Sequence, residues 1–294
     1  DLPTWHDDVR SYRMDDTATG EPMAIFHLDL HPRDGKFTHA ACWNPVSRKR
    51  DADGSLRIPV AAVATNFPKP SGDTPSLLKH DDAVTLWHEF GHVLHATLTE
   101  VDDQRFSGFD VEWDFVEAPS QIMENWMWDA TVLSRFARHY ETGDPIPDEL
   151  VSSLVAARDQ NIGLTTLRQV YLGQYDLAMH TSGPEPDLDE LHTEAHGFTL
   201  MPEQDDTFMA AAFGHLLGGY DAGYYGYLWA HVYGDDMFSV FEQEGVLSPE
   251  VGMRYRNAVL ARGSSVDAWD MLQDFLGREP NADAFLTKLG IDAA

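Results

Sequence analysis

With 294 residues, 43% of them hydrophobic, and with eight Trp and fifteen Phe, the chain can bury a sizeable core, and its composition excludes a disordered polypeptide. It sets 49 Asp and Glu against 20 Lys and Arg, and a net charge of −29 disfavours nucleic acid and anionic membranes as partners. No apolar run approaches a membrane span, and the single cysteine, Cys42, excludes an internal disulfide and a cysteine-based zinc cage while leaning toward a reducing, cytoplasmic compartment.

In chain order, residues 1–20 are polar with turn signals. Residues 23–31, M-A-I-F-H-L-D-L-H, alternate loosely and read as a strand; 36–43 read as a second and 56–67 as a third, with 44–54 a charged loop. Together these pieces predict a small antiparallel sheet. A Pro/Gly/Ser stretch at 68–75 leads into an apolar helix at 82–98, which Asp81 and Asp82 favour at its N-terminus. Residues 100–114 are irregular around Ser107-Gly108, and 115–140 read as one long helix with Pro119 in its first turn, where a missing N–H costs little. Helical patterns then dominate: 150–179, 188–194, 209–217, 223–245, 249–261, 266–276 and 282–289. The expected class is mainly α (α+β), and no internal repeat interrupts it.

The helix at 82–98 carries H-E-F-G-H. His88 and His92 are four apart, so they leave successive turns in the same direction, and Glu89 lies beside them. Two such imidazoles can hold one Zn²⁺, and the adjacent carboxylate can take a proton from water. A hydrolytic zinc takes three protein ligands, so one more is needed. His95 is about 10.5 Å of helical rise from His88, beyond the reach of one ion. The extended pattern with a third histidine after a glycine is absent, because His95 and Leu98 occupy those positions. A carboxylate is the better candidate. Glu117 opens the next helix and shares a face with Gln121 and Glu124, whereas Asp110, Glu112 and Asp114 are rivals within the loop. Glu124 is placed to accept the second ring N–H of a ligating histidine.

Taken with F-S-G, D-F-V-E-A-P-S-Q, E-N-W and the block H-L-L-G-G-Y-D-A-G-Y-Y-G-Y from His215 to Tyr227, the motif resembles the thimet oligopeptidase/neurolysin family of zinc oligopeptidases (M3). Upstream, D-L-H-P-R-D-G-K-F-T-H-A-A and A-T-N-F-P-K-P are similar to family segments, and the likeness runs over most of the chain. The resemblance implies the catalytic lobe of a gluzincin-type zinc metallopeptidase. One Zn²⁺ would be held by His88, His92 and Glu117, with Glu89 as catalytic base. It also implies Tyr224 and Tyr227 as oxyanion stabilisers, with His215 and Tyr220 near the substrate backbone. Gly218 and Gly219, with Gly223 and Gly226, would lend that segment close approach to substrate. Family members are usually much longer. Their N-terminal helical half forms the other wall of a channel that admits short peptides, so this chain reads as a single lobe over 1–294, with sheet in 1–75 and helices in 76–294. Beginning Asp-Leu-Pro-Thr-Trp, with neither Met nor a signal-peptide pattern, it looks like a piece of a longer protein.

The expected reaction is metal-assisted hydrolysis of internal bonds in short peptides. Zinc would polarise the scissile carbonyl and lower the pKa of water toward ~7, while Glu89 accepts the proton and returns it to the leaving amine. Phenols suit the oxyanion because they are neutral at pH 7 and donate one directed O–H. The stretch at 37–41 offers a strand edge to an extended peptide. Arg168 and Arg262 are candidates for a substrate's terminal carboxylate, although surface salt bridges are the commoner fate of such residues. The alternatives are a dipeptidyl carboxypeptidase of the same family, or a zinc lobe that binds peptides without cutting them, its missing half completing the cleft. The acids are spread along the chain and lysine occurs only at Lys36, Lys49, Lys69, Lys79 and Lys288, a pattern expected of a halophilic surface rather than of a cationic docking patch.

Overall fold

A computed structural model describes residues 2–202 and 206–291. Six strands come first: β1 (Arg10–Asp15), β2 (Pro22–Asp29), β3 (Ala41–Val46), β4 (Lys49–Arg50), β5 (Leu56–Arg57) and β6 (Val60–Ala64). Four of them form one sheet in the order β1-β2-β6-β3, and β4 and β5 make a separate small hairpin. β1 pairs with β2, and β3 with β6, in antiparallel fashion, but β2 and β6 are parallel. The sheet is therefore mixed rather than antiparallel throughout. The chain takes an antiparallel strand, β3, between them in sequence and then lays β6 beside β2 in the same direction.

Three strand expectations are corrected. β1 lies inside the stretch read as polar turns; it is an edge strand, and its link to the core is Tyr12, stacked on Phe26 with ring centroids 5.1 Å apart. The strand read at 36–43 begins only at Ala41. Lys36 Nζ donates to the carbonyls of Asp29, His31 and Thr65 at 2.6–2.7 Å, so it ties a turn together instead of extending a ladder. The third strand is interrupted at Pro59, which lacks an N–H for the ladder.

Eleven helices follow among the described residues: α1 (His80–Thr97), α2 (Ala118–Glu124), α3 (Ala130–Phe136), α4 (Asp148–Ala157), α5 (Ile162–Thr181), α6 (Leu188–His196), α7 (Met209–Ala212), α8 (Tyr225–Glu244), α9 (Pro249–Tyr255), α10 (Ala268–Leu276) and α11 (Asp283–Lys288). At the start of α1 the Asp82 side chain reaches back to the Lys79 N–H, 3.0 Å away, satisfying one donor that the helix leaves over. The single long helix expected at 115–140 is divided. A 3₁₀ turn at Asn125–Trp128 ends α2, and the Asp129 side chain accepts the Val132 N–H at 2.9 Å to begin α3. The run expected at 150–179 is likewise split, at Asn161, which takes a left-handed conformation with φ 64°.

The main core lies between α2, α8, α9 and α10, where Phe115, Ile122, Met237, Met271, Leu272 and Phe275 are fully or almost fully buried. Each such side chain contributes about 1.5–3 kcal/mol by leaving water. A second cluster joins the sheet to α1 through Ala61, Val63, Val93 and Ala96, and a third packs α5 on α6 around Tyr171, Leu172 and Tyr175. One glycine sets the spacing of the central helices. A Cβ on Gly91 would lie 2.4 Å from Pro119 O and 2.6 Å from Ser120 Cα, so α1 and α2 touch backbone to backbone. That contact brings His88 and His92 against the first turn of α2.

Candidate active site

Helix α1 carries His88, Glu89 and His92, and Glu117 is the residue from which α2 starts. Across the contact at Gly91, Glu117 Oε2 lies 3.0 Å from His92 Nε2 and 3.2 Å from His88 Nε2. One ligand atom from each of these three residues lies within 4.8 Å of the other two. Glu117 is 4% exposed, and its remaining capacity is used. Ser120 Oγ donates to Oε2 at 2.9 Å, and the Tyr220 hydroxyl donates to Oε1. On the next turns of α2, Glu124 Oε1 sits 2.7 Å from His88 Nδ1, so the far side of that ring is also held. Of the rivals for a third donor, Asp110 and Glu112 line the adjoining cleft, Asp114 does not, and none of them joins the group.

The electrostatics follow from burial opposed by pairing. Burial alone would raise the Glu117 carboxyl, but His92 and His88 hold it well below the usual carboxylate range. Burial would lower the His88 ring, but its bonds to Glu117 and Glu124 hold it well above. Glu89, buried and facing the same cleft, is pushed up by desolvation against the pull of the two imidazoles. His95 is fully buried, its two ring nitrogens have no hydrogen-bond partner among the described residues, and burial pushes its pKa down to about 3, so it is a neutral core side chain outside the cluster.

The aromatic block predicted around residues 215–227 sits beside these donors. Tyr220 stacks on Tyr227 with centroids 4.7 Å apart, Tyr227 meets Tyr224 at 5.1 Å, and the His215 ring lies 5.1–5.8 Å from all three. Burial raises all three phenols, so they remain O–H donors at neutral pH, and it lowers His215. Gly218 lines the cleft, and Gly219, at φ 95°, backs onto the Trp113 ring 3.6 Å from where a Cβ would stand.

Sequence reasoning missed the group that holds this block in place. Asp176, on α5, is fully buried; it accepts the Ala222 N–H at 2.9 Å and the Tyr224 N–H at 3.0 Å, and it lies 3.1 Å from His180 Nδ1. Ala222 is left-handed at φ 57°, a strained conformation for a residue with a Cβ, so the carboxylate stabilises a turn that would otherwise be costly. The available signal was an acid on an apolar helix face, in register with Leu172 and Tyr175. Gln169 accepts the Tyr224 hydroxyl at 3.0 Å, and Gln121 donates to Tyr227 O at 3.0 Å.

His88, Glu89, His92 and Glu117 face, together with His215 and the three tyrosines, a cleft of about 2000 Å³. Its walls include the edge strand β3 at Ala41–Trp43 on one side and the tyrosine block with Arg168 on another, with His88, Glu89 and His92 between. Arg262, also considered for a terminal carboxylate, is not in the cleft. Its Nε donates to Asn257 O at 3.0 Å and it approaches Asp274 at 4.0 Å.

Two imidazoles and one carboxylate, with one oxygen shared between both rings, form a donor set suited to a divalent ion of borderline softness such as zinc. Glu124 and Tyr220 hold outer atoms of the donors, His88 Nδ1 and Glu117 Oε1, as second partners of ligating groups do, and Ser120 donates to the shared oxygen Oε2. The residues present therefore fit the ion that the motif implies.

The sequence description of Peptidase family M3 matches residues 1–291. The chain is 42% identical over 293 residues to a thimet-like oligopeptidase of Dictyostelium discoideum, covering 98% of this chain and 44% of that protein. It is 41% identical over 297 residues to oligopeptidase A of Escherichia coli, covering 99% of this chain and 44% of that one. A dipeptidyl carboxypeptidase of Salmonella typhimurium is 34% identical over 298 residues, with 99% and 43% covered. The chain thus spans less than half the length of these curated relatives. Among solved structures it shares its fold with BsuCP (TM-score 0.58, 14% identity, 91% of this chain and 54% of that one) and with PZ peptidase A bound to an inhibitor (TM-score 0.55, 13% identity, 90% and 42%). The donor cluster and the tyrosine block stand inside a match that runs nearly from end to end, and on that match the chain belongs to peptidase family M3.

Proposed function

We propose that this chain is the catalytic lobe of a zinc-dependent oligopeptidase that hydrolyses internal bonds of short peptides. The observation that carries the reading is the convergence of His88, His92 and Glu117 into one group beside the buried carboxylate of Glu89, at a cleft of about 2000 Å³. A zinc ion held by those three residues would supply Lewis-acid polarisation of the scissile carbonyl and acidify water.

The remaining work falls to side chains of this chain. Glu89 accepts the proton of the attacking water and delivers it to the leaving amine; burial raises its pKa, which makes it a better proton acceptor than an exposed carboxylate. Tyr224 and Tyr227, kept protonated by burial, donate to the developing oxyanion, and His215 and Tyr220 contact the substrate backbone together with Gly218 and Gly219. Glu124 fixes the His88 ring by its bond to Nδ1. The edge of β3 gives an extended peptide a strand to pair with.

In this reading residues 1–294 form one lobe, with sheet in 1–75 and helices in 76–294. The extra length of the relatives supplies an opposing half that narrows the cleft and limits substrates to short peptides. Nucleic acid and membranes are not its partners, and the cytoplasm is its compartment. No helix among the described residues is long and apolar enough to cross a membrane. The competing reading, removal of C-terminal dipeptides, draws on the Salmonella relative. Mapping the products from a series of peptides of increasing length separates the two, because cuts at a constant two residues from the C-terminus favour the competitor. Glu89→Gln should retain stoichiometric zinc and lose about 10²–10⁴-fold in rate, whereas His92→Ala should lose the metal. Equal turnover by Glu89→Gln and the parent chain would mean that the lobe binds peptides but does not cut them.

A further inference from the structure

Two guanidinium groups, Arg105 and Arg168, line the cleft. They differ in what surrounds them. Arg105 lies near enough to Asp110, in the same loop, to lower that carboxyl against the larger effect of burial, although like Arg168 it makes no ion pair and no side-chain hydrogen bond among the described residues. Arg168 is exposed on α5, and among the described residues it has neither an ion pair nor a hydrogen bond from its side chain. Arg33, Arg254 and Arg278 are each held by a carboxylate.

The position of Arg168 is as informative as its lack of a partner. Gln169, next in sequence, accepts the Tyr224 hydroxyl, and the Arg168 charge acts on that same hydroxyl. From Tyr224 the rings lead through Tyr227 and Tyr220 to Glu117. Arg168 therefore stands at the end of the tyrosine block remote from the donor cluster. A peptide laid across the block from Glu89 brings its end toward a planar cation with no other partner, and a guanidinium binds a carboxylate with two parallel hydrogen bonds.

We propose that Arg168 is a carboxylate subsite, and that it takes the C-terminal carboxylate of a short peptide substrate. The proposal rests on the peptidase reading above and adds to it which end of the substrate is recognised. Two sources of a carboxylate exist, the chain terminus and an acidic side chain. The terminus is favoured because every short peptide carries it whatever its sequence. Further acids on the substrate are repelled by Asp103, Asp110 and Glu112 along the same cleft.

The test uses one internally quenched heptapeptide in three forms: free acid, carboxamide, and carboxamide with Asp as its last residue. The zinc-loaded chain should cleave the free acid with a kcat/KM about tenfold above the carboxamide, the size expected of one charge-assisted pair in a partly open cleft. Arg168→Gln should bring that ratio to about one, and Arg105→Gln should leave it in place. No preference for the acid in the parent chain, or a preference that survives Arg168→Gln, overturns the proposal. Equal treatment of the Asp-carboxamide and the free acid overturns the assignment to the terminus. Binding of the same three peptides to Glu89→Gln separates this from a failure of the peptidase reading. An acid preference in binding that Arg168→Gln abolishes supports the subsite even if no peptide is cut, and absence of cleavage then counts against the peptidase reading alone.

Discussion

At the scale of single residues, helical period related His88 to His92 within one helix and Glu117 to Glu124 within the next, while the choice of Glu117 over the loop acids as a third donor also leaned on the family resemblance. Only the contact between two helices had to be supplied by the fold. Asp176 was not legible, because the N–H groups it accepts belong to Ala222 and Tyr224, 46 and 48 residues away. Its removal should separate metal binding from catalysis. Asp176→Ala leaves two backbone donors without an acceptor in a buried site, at about 1–3 kcal/mol each, and releases the strained turn at Ala222. Tyr224 then shifts, and a displacement of about 1 Å can cost on the order of 10²-fold in rate. The expected outcome is a kcat reduced about ten- to a hundredfold with zinc content unchanged, and partial recovery in Asp176→Asn, which keeps one acceptor oxygen. Loss of zinc in step with activity would show that Asp176 supports the whole fold rather than the tyrosine block.

At the scale of elements, helices were readable and their breaks were not. The long pattern at 115–140 carries a continuous apolar face, but the side chain of Asp129 and the 3₁₀ turn before it decide where one helix stops and the next begins. β1 escaped notice because an edge strand with solvent on most sides has little need of an apolar face. The pairing of α1 with α2 can be tested at Gly91, where an added methyl meets backbone on both near sides and no flexible side chain can yield. Gly91→Ala should cost about 1–3 kcal/mol in denaturant unfolding and weaken zinc binding, because the two ligating helices must part. Parental stability would mean that they slide without penalty. The sheet offers a second test at Asp29. Burial would raise this carboxyl, but hydrogen bonds from both Arg33 guanidinium nitrogens at 2.6 and 2.7 Å, from Trp5 Nε1 at 3.0 Å, and an ion pair with Lys36 at 2.9 Å hold it far below its ordinary value. A group depressed in the folded state contributes stability that is complete above its unfolded pKa of about 3.9, and that is lost as pH falls toward the folded value. Asp29→Asn should therefore be less stable than the parent chain at pH 7, with the gap closing as pH is lowered through 4 toward 2. A gap of constant size in thermal unfolding across that range would mean that the carboxylate's charge contributes nothing.

At the scale of the whole molecule, the question is what a net charge of −29 does to a chain of this size. Two effects of salt oppose each other. Exposed pairs such as Arg13 with Asp15, Arg57 with Asp51 and Arg254 with Glu244 are each worth about 0–1 kcal/mol and weaken as salt rises. Repulsion among the excess carboxylates also weakens, and this stabilises the folded state, which holds them closer together than the unfolded chain does. With 49 acids and only 20 Lys and Arg, most carboxylates cannot be paired, so relief of repulsion outweighs the loss of the pairs. The Debye length falls from about 30 Å at 0.01 M to about 3 Å at 1 M, and most of that contraction comes in the first few tenths molar. The thermal midpoint in NaCl should therefore rise steeply over that range and flatten beyond it. A further climb in molar sulfate would reflect exclusion of that ion from the surface, an effect not specific to an acidic protein. The cleft should respond in the opposite sense. A cationic peptide drawn in by the surrounding field should lose kcat/KM as NaCl rises, while a neutral one should not. A midpoint that falls steadily from low to molar NaCl would show that the ion pairs dominate over the repulsion, and the acidity would then have to be explained by the cations the surface binds.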